Sequence, residues 1–359
     1  MPFHISPRGR GTTDSPPNRF EKFSTETGDG AWEEIAARED DFEPARPQTE
    51  ILSDDSQSII TTNQSPDIGF SHSLNPYRGC EHGCAYCYAR PYHEFLGYNA
   101  GLDFETKIIA KERAPELLEQ QLAKASWKPV SLACSGVTDC YQPVEKSLQI
   151  TRRCLEVLTN ARNPVGIITK NALVTRDIDH LAELASFDAS VVVLSLTSLD
   201  PDLSGQLEPR ASRPDARLEA IRMLSEAGIP VGVSIAPIIP GLNDHEIPEI
   251  MQAAADHGAT FASGTVIRLP FGVKDIFASW LDRFFPDRKE LVLGRIRDLR
   301  GGKLNESDFG TRMTGTGPLA NQIQQWITVS KRRAGMENPR KSLSTACFRR
   351  PMPGQRELF

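Results

Sequence analysis

Short apolar runs alternate with stretches of helical period along most of the chain. From residue 71 onward, six apolar runs predict β-strands at 71–75, 130–134, 165–169, 190–197, 230–236 and 260–267. Amphipathic stretches between these runs predict helices at 115–125, 145–160, 177–187, 214–227 and 244–257. The pattern therefore predicts an α/β protein.

Strands that alternate with helices form parallel βα units, because the crossover helix returns the chain to the same end of the sheet. With right-handed crossovers, the result is either an open doubly wound sheet or a partial barrel, and both place the functional site at the carboxyl ends of the strands. Beyond residue 270, helical patterns at 276–285, 288–300 and 318–334 predict a C-terminal helical layer that closes the sheet.

The composition and the charge distribution divide the chain further. The 359 residues are 39% hydrophobic and 25% charged, which excludes a collagen, a fully disordered chain and a disulfide-stapled miniprotein. Residues 21–60 hold twelve Asp and Glu against three Lys and Arg, a local charge of −9. We therefore predict an irregular acidic N-terminal arm at 1–68, a barrel at 69–270, a helical layer at 271–336 and a basic tail at 337–359.

The apolar runs and the cysteines indicate the cellular compartment in which the protein works. The longest apolar runs, 189–199 and 228–241, are interrupted and fall short of the roughly 20 residues of a membrane helix. The first residues lack the apolar core of a secretion signal, and the seven cysteines are an odd number. A cytoplasmic protein without a membrane span is predicted, with thiols available for metal binding or catalysis.

Three of those cysteines lie within eight residues, directly after the first predicted strand. Cys80, Cys84 and Cys87 form a C-x3-C-x2-C run, which can fold three thiolates around one cubane iron–sulfur cluster. Three ligands leave one iron open for a chelating substrate. A structural zinc site with His82 or His93 as fourth ligand, and three unrelated core thiols, are the alternatives.

With Tyr86 before its third cysteine, this run resembles the signature of the radical S-adenosylmethionine (radical SAM) superfamily. The resemblance implies a [4Fe-4S] cluster on the three cysteines, with SAM on the open iron and Tyr86 beside it. It also implies reductive cleavage of SAM to a 5'-deoxyadenosyl radical that abstracts a substrate hydrogen. An electron donor such as flavodoxin or ferredoxin and a partial (β/α)6 TIM-like barrel follow from the same resemblance.

Further segments resemble the spore photoproduct lyase-like branch of this superfamily, whose members are described as DNA repair photolyases. The resemblance implies a lyase-like reaction, with DNA lesion repair as the expected role. RNA, protein or small-molecule modification by the same chemistry is the alternative, as is a nucleic-acid-binding protein with a structural metal site. The segments are 65–67, 75–84, 89–91, 101–105, 138–143 and 208–211, with 268–270 and 312–315 further along the chain.

Residues at the strand ends are predicted to contact SAM. Thr138 and Asp139 stand where the superfamily carries a turn that receives the SAM ammonium group, and Arg210 could pair with the SAM carboxylate, unless a surface Asp or Glu takes it. Ser195 and Thr197 could bind ribose or carboxylate, or form a turn that caps the next helix. Lys170 is either a substrate contact or a solvated loop lysine.

Two further thiols, Cys134 and Cys140, are predicted near the same mouth. The lyase relatives use a cysteine in this region to return a hydrogen atom to the product radical, which suits the weak S–H bond. Burial as small apolar groups is the alternative for both cysteines.

The C-terminal region suggests macromolecular partners. Residues 331–350 hold seven basic residues against one acidic residue, and they are either a nucleic-acid-binding stretch or a solvated surface. No RNA-binding module is recognisable, which favours DNA over RNA. The final residues Gln355, Leu358 and Phe359 form a Q-x-x-L-F pattern that resembles peptides bound by the bacterial DNA sliding clamp, although they could instead dock on the protein itself.

Overall fold

The computed structural model describes residues 9–21, 47–134, 136–337 and 342–352. Its main sheet contains seven strands in the order β10-β9-β8-β7-β6-β3-β2, and a small second sheet has the order β1-β5-β4. The strands are β1 Glu50–Ser53, β2 Ile60–Thr62, β3 His72–Leu74, β4 Tyr77–Arg78, β5 Lys107–Ala110, β6 Leu132–Cys134, β7 Val165–Thr169, β8 Ser190–Ser195, β9 Val231–Ile238 and β10 Phe261–Val266.

The six strands β3, β6, β7, β8, β9 and β10 run parallel and lie side by side in chain order. Only β2, at the far edge, runs antiparallel to its neighbour β3. All six predicted strands are present, and their parallel order confirms the predicted partial (β/α)6 barrel. The carboxyl ends of the six strands meet at one end of the sheet, which is called the mouth below.

Helices connect these strands and continue beyond β10, as predicted. No described helix is long and apolar enough to cross a membrane. The α-helices are α1 Leu102–Thr106, α2 Ala114–Ala123, α3 Glu145–Leu148, α4 Ile150–Ala161, α5 Ile178–Ala185, α6 Pro201–Leu207, α7 Pro214–Glu226, α8 Ile247–Asp256, α9 Val273–Phe284, α10 Lys289–Leu299 and α11 Gly317–Arg333.

The prediction of one helix over residues 145–160 is wrong, because Gln149 interrupts it. Gln149 has a left-handed backbone with φ of 52° and separates α3 from α4. The Glu145 carboxylate then accepts the backbone N–H groups of Thr151 at 3.0 Å and Arg152 at 3.3 Å. A buried side chain thus satisfies donors at the start of α4 that have no intrahelical partner.

The parallel strands pack one face against the helices, and their other face lines the interior of the barrel. In β8, Val192 and Leu194 belong to the hydrophobic core that packs against the helices, whereas Ser195 points to the opposite side. In β9, Ser234 takes the position beside Ser195 and bonds the Ser263 hydroxyl at 3.1 Å. Serines thus lie side by side on the interior face near the mouth, whereas Val191 and Val193 make the deeper part of that face apolar.

The described part of the N-terminal arm, residues 9–21 and 47–68, contains structure that its composition does not predict. It contains β1 and β2, and β1 pairs in parallel with β5, so that Glu50 lies opposite Lys107. Arg10 donates to the Glu105 carbonyl oxygen at 2.7 Å. These partners lie far away in the chain, so no local pattern of hydrophobicity reveals them.

Two segments join the opposite edges of the main sheet. Beside β10, the Met313 carbonyl oxygen accepts the N–H of Val266 at 3.0 Å. Beyond β2, the Asp67 carboxylate pairs with Arg312 at 2.5 Å and accepts the N–H of Gly310 at 2.7 Å. The Ser65 hydroxyl also accepts a hydrogen bond from Arg312. We call Ser65, Asp67, Gly310 and Arg312 the clasp.

Candidate active site

Cys80, Cys84 and Cys87 lie on one loop, which is called the ligand loop below. It begins after β4 and ends at a 3-10 turn, Arg90–Leu96. Its two glycines, Gly79 and Gly83, have left-handed backbones with φ of 77° and 68°. A Cβ atom on Gly79 would lie 2.8 Å from the Lys107 carbonyl oxygen, and one on Gly83 would lie 2.6 Å from the Glu105 carboxylate. The sharp turns and the close packing both require glycine at these positions.

The three thiols of this loop are shielded from water. Cys80 and Cys84 are buried, and Cys87 is half-buried. Burial is the largest cause that raises the pKa of all three thiols, so each keeps its proton until a metal replaces it. The three thiols are near enough to feel one another's charge, and their number and type suit a cubane iron–sulfur cluster held by Cys80, Cys84 and Cys87.

A fully buried ion pair supports the loop from beneath. The Arg90 guanidinium lies 2.5 Å from Glu105 Oε1, and both side chains have no exposed surface. Arg90 also donates to the carbonyl oxygens of Gly83 at 3.3 Å and Cys84 at 3.0 Å. Glu105 accepts the N–H of Gly11 at 2.9 Å through its other oxygen. The ligand loop therefore has a protein scaffold built from segments that are distant in sequence.

The two histidines of the zinc alternative contact other groups. His82 Nδ1 lies 3.4 Å from Asp139 Oδ2, and its Nε2 lies 3.3 Å from the Asn171 amide nitrogen. The His93 ring packs against Phe104 with 5.6 Å between ring centroids. In the described parts of the chain, no three His, Cys, Asp or Glu side chains are grouped to hold a single metal ion. Among the described residues, neither histidine is grouped with the three cysteines as a fourth ligand.

A buried carboxylate, Glu208, is the centre of a polar network beside the ligand loop. The hydroxyls of Tyr86 and Thr197 both donate to Glu208 Oε1, that of Thr197 at 2.5 Å. Buried Arg217 donates to Oε2, and Lys170 Nζ lies 3.6 Å from Oε1. The network thus joins the ligand loop, through Tyr86, to the ends of two barrel strands.

The charges in this network fix the protonation of its members. Burial by itself raises the pKa of Glu208, but Arg217, Lys170 and the hydrogen bonds from Thr197 and Tyr86 lower it to about 2. Burial, followed by the charges of Cys84 and Glu208, raises the pKa of Tyr86, so its hydroxyl remains a donor. Glu208 therefore stays ionised and holds the Tyr86 ring in one orientation.

Sequence reasoning missed Glu208 and Arg217. The signal was present, since Glu208 opens the 208–211 segment that resembles the lyase-like branch, but the prediction placed the function on Arg210. Arg210 pairs with Glu81 at 3.0 Å and is 30% exposed, which matches the alternative of an acidic partner. Its predicted role toward the SAM carboxylate stays a prediction.

Thr138 and Asp139 support the loop that follows β6. The Thr138 hydroxyl donates to the Tyr77 carbonyl oxygen at 2.8 Å. The Asp139 carboxylate accepts from the Thr169 hydroxyl at 2.7 Å and from the Lys170 N–H at 2.8 Å. Both residues therefore lie at the mouth, where they hold neighbouring strand ends together.

Ser195 and Thr197 lie where β8 ends, as predicted, and both are buried. The Ser195 carbonyl oxygen accepts from Arg217 at 2.8 Å. Lys170, at the end of β7, donates to the Ala236 carbonyl oxygen at 2.9 Å and retains 15% exposure of its side chain. The structure thus brings Thr197, Lys170 and Tyr86 together around Glu208.

The structure buries both cysteines that were predicted as hydrogen donors. Cys134 is the last residue of β6 and belongs to the apolar layer that packs against the helices. Burial, followed by the neighbouring Cys134 thiol, raises the pKa of Cys154 on α4, which places Cys134 on the helix side of the sheet. Cys140 is buried as well, and its carbonyl oxygen accepts from the Thr151 hydroxyl at 2.7 Å.

Part of the basic stretch is engaged within the protein. Arg350 donates to the carbonyl oxygens of Leu122 at 3.2 Å and Trp127 at 3.1 Å, near the end of α2. Arg332 pairs with Glu337 at 3.2 Å on the surface. Arg340 and Lys341 lie outside the described residues, as do the three clamp-motif residues Gln355, Leu358 and Phe359.

Comparison with known proteins agrees with this geometry. The profile of the radical SAM superfamily matches residues 74–254, which include the ligand loop and Glu208. An uncharacterised protein of Mycobacterium tuberculosis is 33% identical over 234 residues, 65% of this chain and 68% of that protein. An uncharacterised protein of Methanocaldococcus jannaschii is 30% identical over 197 residues, 55% of this chain and 71% of that protein.

The fold is also similar to solved structures. Spore photoproduct lyase complexed with dinucleoside spore photoproduct superposes with a TM-score of 0.55 and 15% identity, covering 79% of both chains. A lyase variant with bound AdoMet and the same dinucleoside gives a TM-score of 0.53 at 15% identity, over 79% of this chain and 78% of that chain. At this level of identity the likeness establishes a shared fold.

Proposed function

The chain belongs to the radical SAM superfamily, and from this premise we propose that it processes a DNA lesion by hydrogen abstraction at the mouth of the barrel. The superfamily uses a [4Fe-4S] cluster and SAM, which supply, when bound, a 5'-deoxyadenosyl radical. The observation that carries the proposal is the set of three shielded thiols at the carboxyl ends of six parallel strands, beside the Glu208 network.

The residues of this chain contribute orientation and a shielded space. Glu208 fixes the Tyr86 ring, one residue before Cys87, so that an aromatic surface borders the ligand loop. The short side chains of Ser195 and Ser234 at the strand ends leave room for SAM and for the reacting part of a substrate. Lys170 offers a positive charge at the same mouth, close to the Tyr86 ring at 5.9 Å.

The choice of DNA is supported by two observations of different kinds. The fold neighbours include spore photoproduct lyase bound to a dinucleoside lesion. The chain also carries segments, such as 75–84 and 138–143, that resemble the spore photoproduct lyase-like branch. Modification of RNA, of a protein or of a small molecule uses the same radical and is the second candidate.

Anaerobic reconstitution with iron and sulfide tests the proposal. Reduced wild-type protein should form 5'-deoxyadenosine from SAM, and ultraviolet-irradiated DNA should give a product that undamaged DNA does not. Cys84→Ala should lose iron and SAM cleavage together, whereas Cys347→Ala, a matched change at an exposed cysteine, should keep both.

The outcomes separate the candidates. If the protein cleaves SAM but gives no DNA product, the radical SAM activity is supported and processing of a DNA lesion is excluded. Wild-type protein that binds nucleic acid but neither incorporates iron nor cleaves SAM would be a binding protein with a structural metal site.

A further inference from the structure

Ring contacts and the Arg19 guanidinium link four exposed aromatic side chains, and a fifth, Tyr88, directly follows Cys87. They are 44–68% exposed, and we call them the aromatic track. The Phe20 and Phe95 rings lie 4.9 Å apart, and Tyr92 and Phe95 lie 6.5 Å apart, between ring centroids. Exposed aromatic patches of this kind mark binding surfaces in soluble proteins. The track consists of Phe20, Tyr88, Tyr92, Phe95 and Phe271.

Phe271, which follows β10 in the chain, joins the track through Arg19. Its backbone has φ of 51°, a conformation that is strained for a bulky residue and keeps the ring 58% exposed. The Arg19 guanidinium lies 3.7 Å from the Phe271 ring centroid and 5.2 Å from that of Phe20. Arg19 itself is neutralised by Glu94 at 2.5 Å, so it connects the rings without adding net charge.

Arg268 supplies the charge of this surface. It follows β10, and its guanidinium carbon lies 5.9 Å from the Tyr88 ring centroid. Its Nε is buried without a hydrogen-bond partner in the described chain, and its Nη1 reaches only the Met313 sulfur at 3.8 Å. The nearby Asp67 carboxylate is already bound by Arg312. An arginine with unused donors beside aromatic rings therefore faces the mouth.

An unpaired guanidinium is costly when it is partly removed from water, because an arginine cannot lose its charge in a protein. An anion that arrives with the substrate relieves this cost. The planar fork of arginine matches the oxygens of a phosphate, and aromatic faces stack with any nucleobase. The two features together select a ligand with phosphate and base groups a few ångströms apart.

We propose that Arg268 and the aromatic track bind a single-stranded or unstacked segment of nucleic acid, with a phosphodiester on Arg268 and bases on Tyr88 and Tyr92. This inference rests on the proposed function and states which residues bind the substrate of the enzyme. Tyr88 directly follows the cluster ligand Cys87, and its hydroxyl lies 3.4 Å from the Gly136 carbonyl oxygen after β6. A nucleotide on Tyr88 is thus placed over the mouth.

Binding of fluorescent oligothymidylate and oligouridylate to the reconstituted full-length protein tests the inference, and the two oligomers distinguish DNA from RNA as the source of the phosphodiester. Tyr92→Ala should weaken binding about tenfold, since stacking of one base contributes about 1–3 kcal/mol. Phe95→Ser, at the most exposed ring of the track, changes the surface without disturbing a packed core and should also weaken binding.

The salt dependence of oligonucleotide affinity tests the contribution of the Arg268 charge. Arg268→Gln should reduce the slope of log affinity against log salt by about 0.7, the value for one phosphate contact on a single strand. Arg268→Lys should restore part of that slope and controls for folding. Trp326→Ala on α11 and Arg222→Gln on α7 are matched exposed controls and should bind like wild type.

Equal oligonucleotide binding by all variants would overturn the inference, as would a loss of SAM affinity alone in Arg268→Gln. SAM cleavage by the wild-type protein is measured in parallel. If the protein cleaves SAM but binds no oligonucleotide, the inference about the aromatic track is wrong, and the radical SAM chemistry is unaffected. If oligonucleotide binding depends on the aromatic track but damaged DNA gives no product, the inference is supported and the role in DNA repair is excluded.

Discussion

At the scale of single residues, the site depends on one carboxylate that local sequence patterns do not reveal. Glu208 is buried, yet it is ionised because two cations and two hydroxyls surround it. Predicting this requires contacts between residues up to 122 positions apart, as for Tyr86 and Glu208. The three cysteines predicted as cluster ligands, in contrast, lie within one loop, and their spacing alone is enough to predict that role.

Glu208→Gln tests this network through acid unfolding. The folded-state pKa of about 2 lies below the usual value of 4.5, so Glu208 stabilises the fold above about pH 4.5, and the contribution is lost as the pH falls toward 2. Wild-type stability should therefore drop more steeply between pH 4.5 and 2 than that of Glu208→Gln. Urea unfolding followed by circular dichroism measures the difference, and parallel curves would contradict it.

Cys134→Ser tests the hydrogen-donor role against burial. A hydroxyl placed in the apolar layer around Cys134 should lower the free energy of unfolding by about 1–3 kcal/mol. Product formation per folded molecule should stay the same, because the side chain lies on the helix side of the sheet. A stable variant that releases altered or fewer products would instead support Cys134 as the donor.

At the scale of elements, the parallel strands and their helices are predictable because each depends on its own periodicity. The strand β7 at Val165–Thr169 has the predicted bounds. The strands β1, β4 and β5 were missed, since they are two to four residues long and pair with one another across the chain. The break at Gln149 was also missed, because a buried carboxylate and not a glycine or proline produces it.

Gln149→Gly tests the break between α3 and α4. Gln149 is exposed and left-handed, and glycine adopts that conformation without the strain of a side chain. The substitution should raise the free energy of unfolding by about 1 kcal/mol, read from chemical denaturation. Gln149→Ala is the matched control and should give no such gain. Equal stabilities of the two variants would show that the backbone is not strained there.

At the scale of the whole molecule, the clasp connects the two edges of the main sheet. The Arg312 and Asp67 side chains are 14% and 8% exposed, so their ion pair is largely shielded from water. Removal of one partner leaves the other charge buried, and Arg312→Ala should lower the free energy of unfolding by about 3 kcal/mol. Thermal unfolding of the full-length protein measures the loss.

The control for this change is Arg222→Ala, which removes an exposed arginine with two acidic partners on α7. Exposed pairs contribute at most about 1 kcal/mol, so this variant should melt close to wild type. Equal melting temperatures for the Arg312 and Arg222 variants would show that the clasp does not hold the edges of the sheet together.

The clasp also has a consequence for the order in which the protein is made. Its partners are separated by 245 positions, so the contact cannot form while the ribosome is still translating the barrel. A nascent chain that ends before residue 310 exposes the free edges of β2 and β10, and such edges invite pairing with other chains. The two edges of the sheet whose early part carries the three cysteines are thus joined only when a segment from near the end of synthesis has left the ribosome.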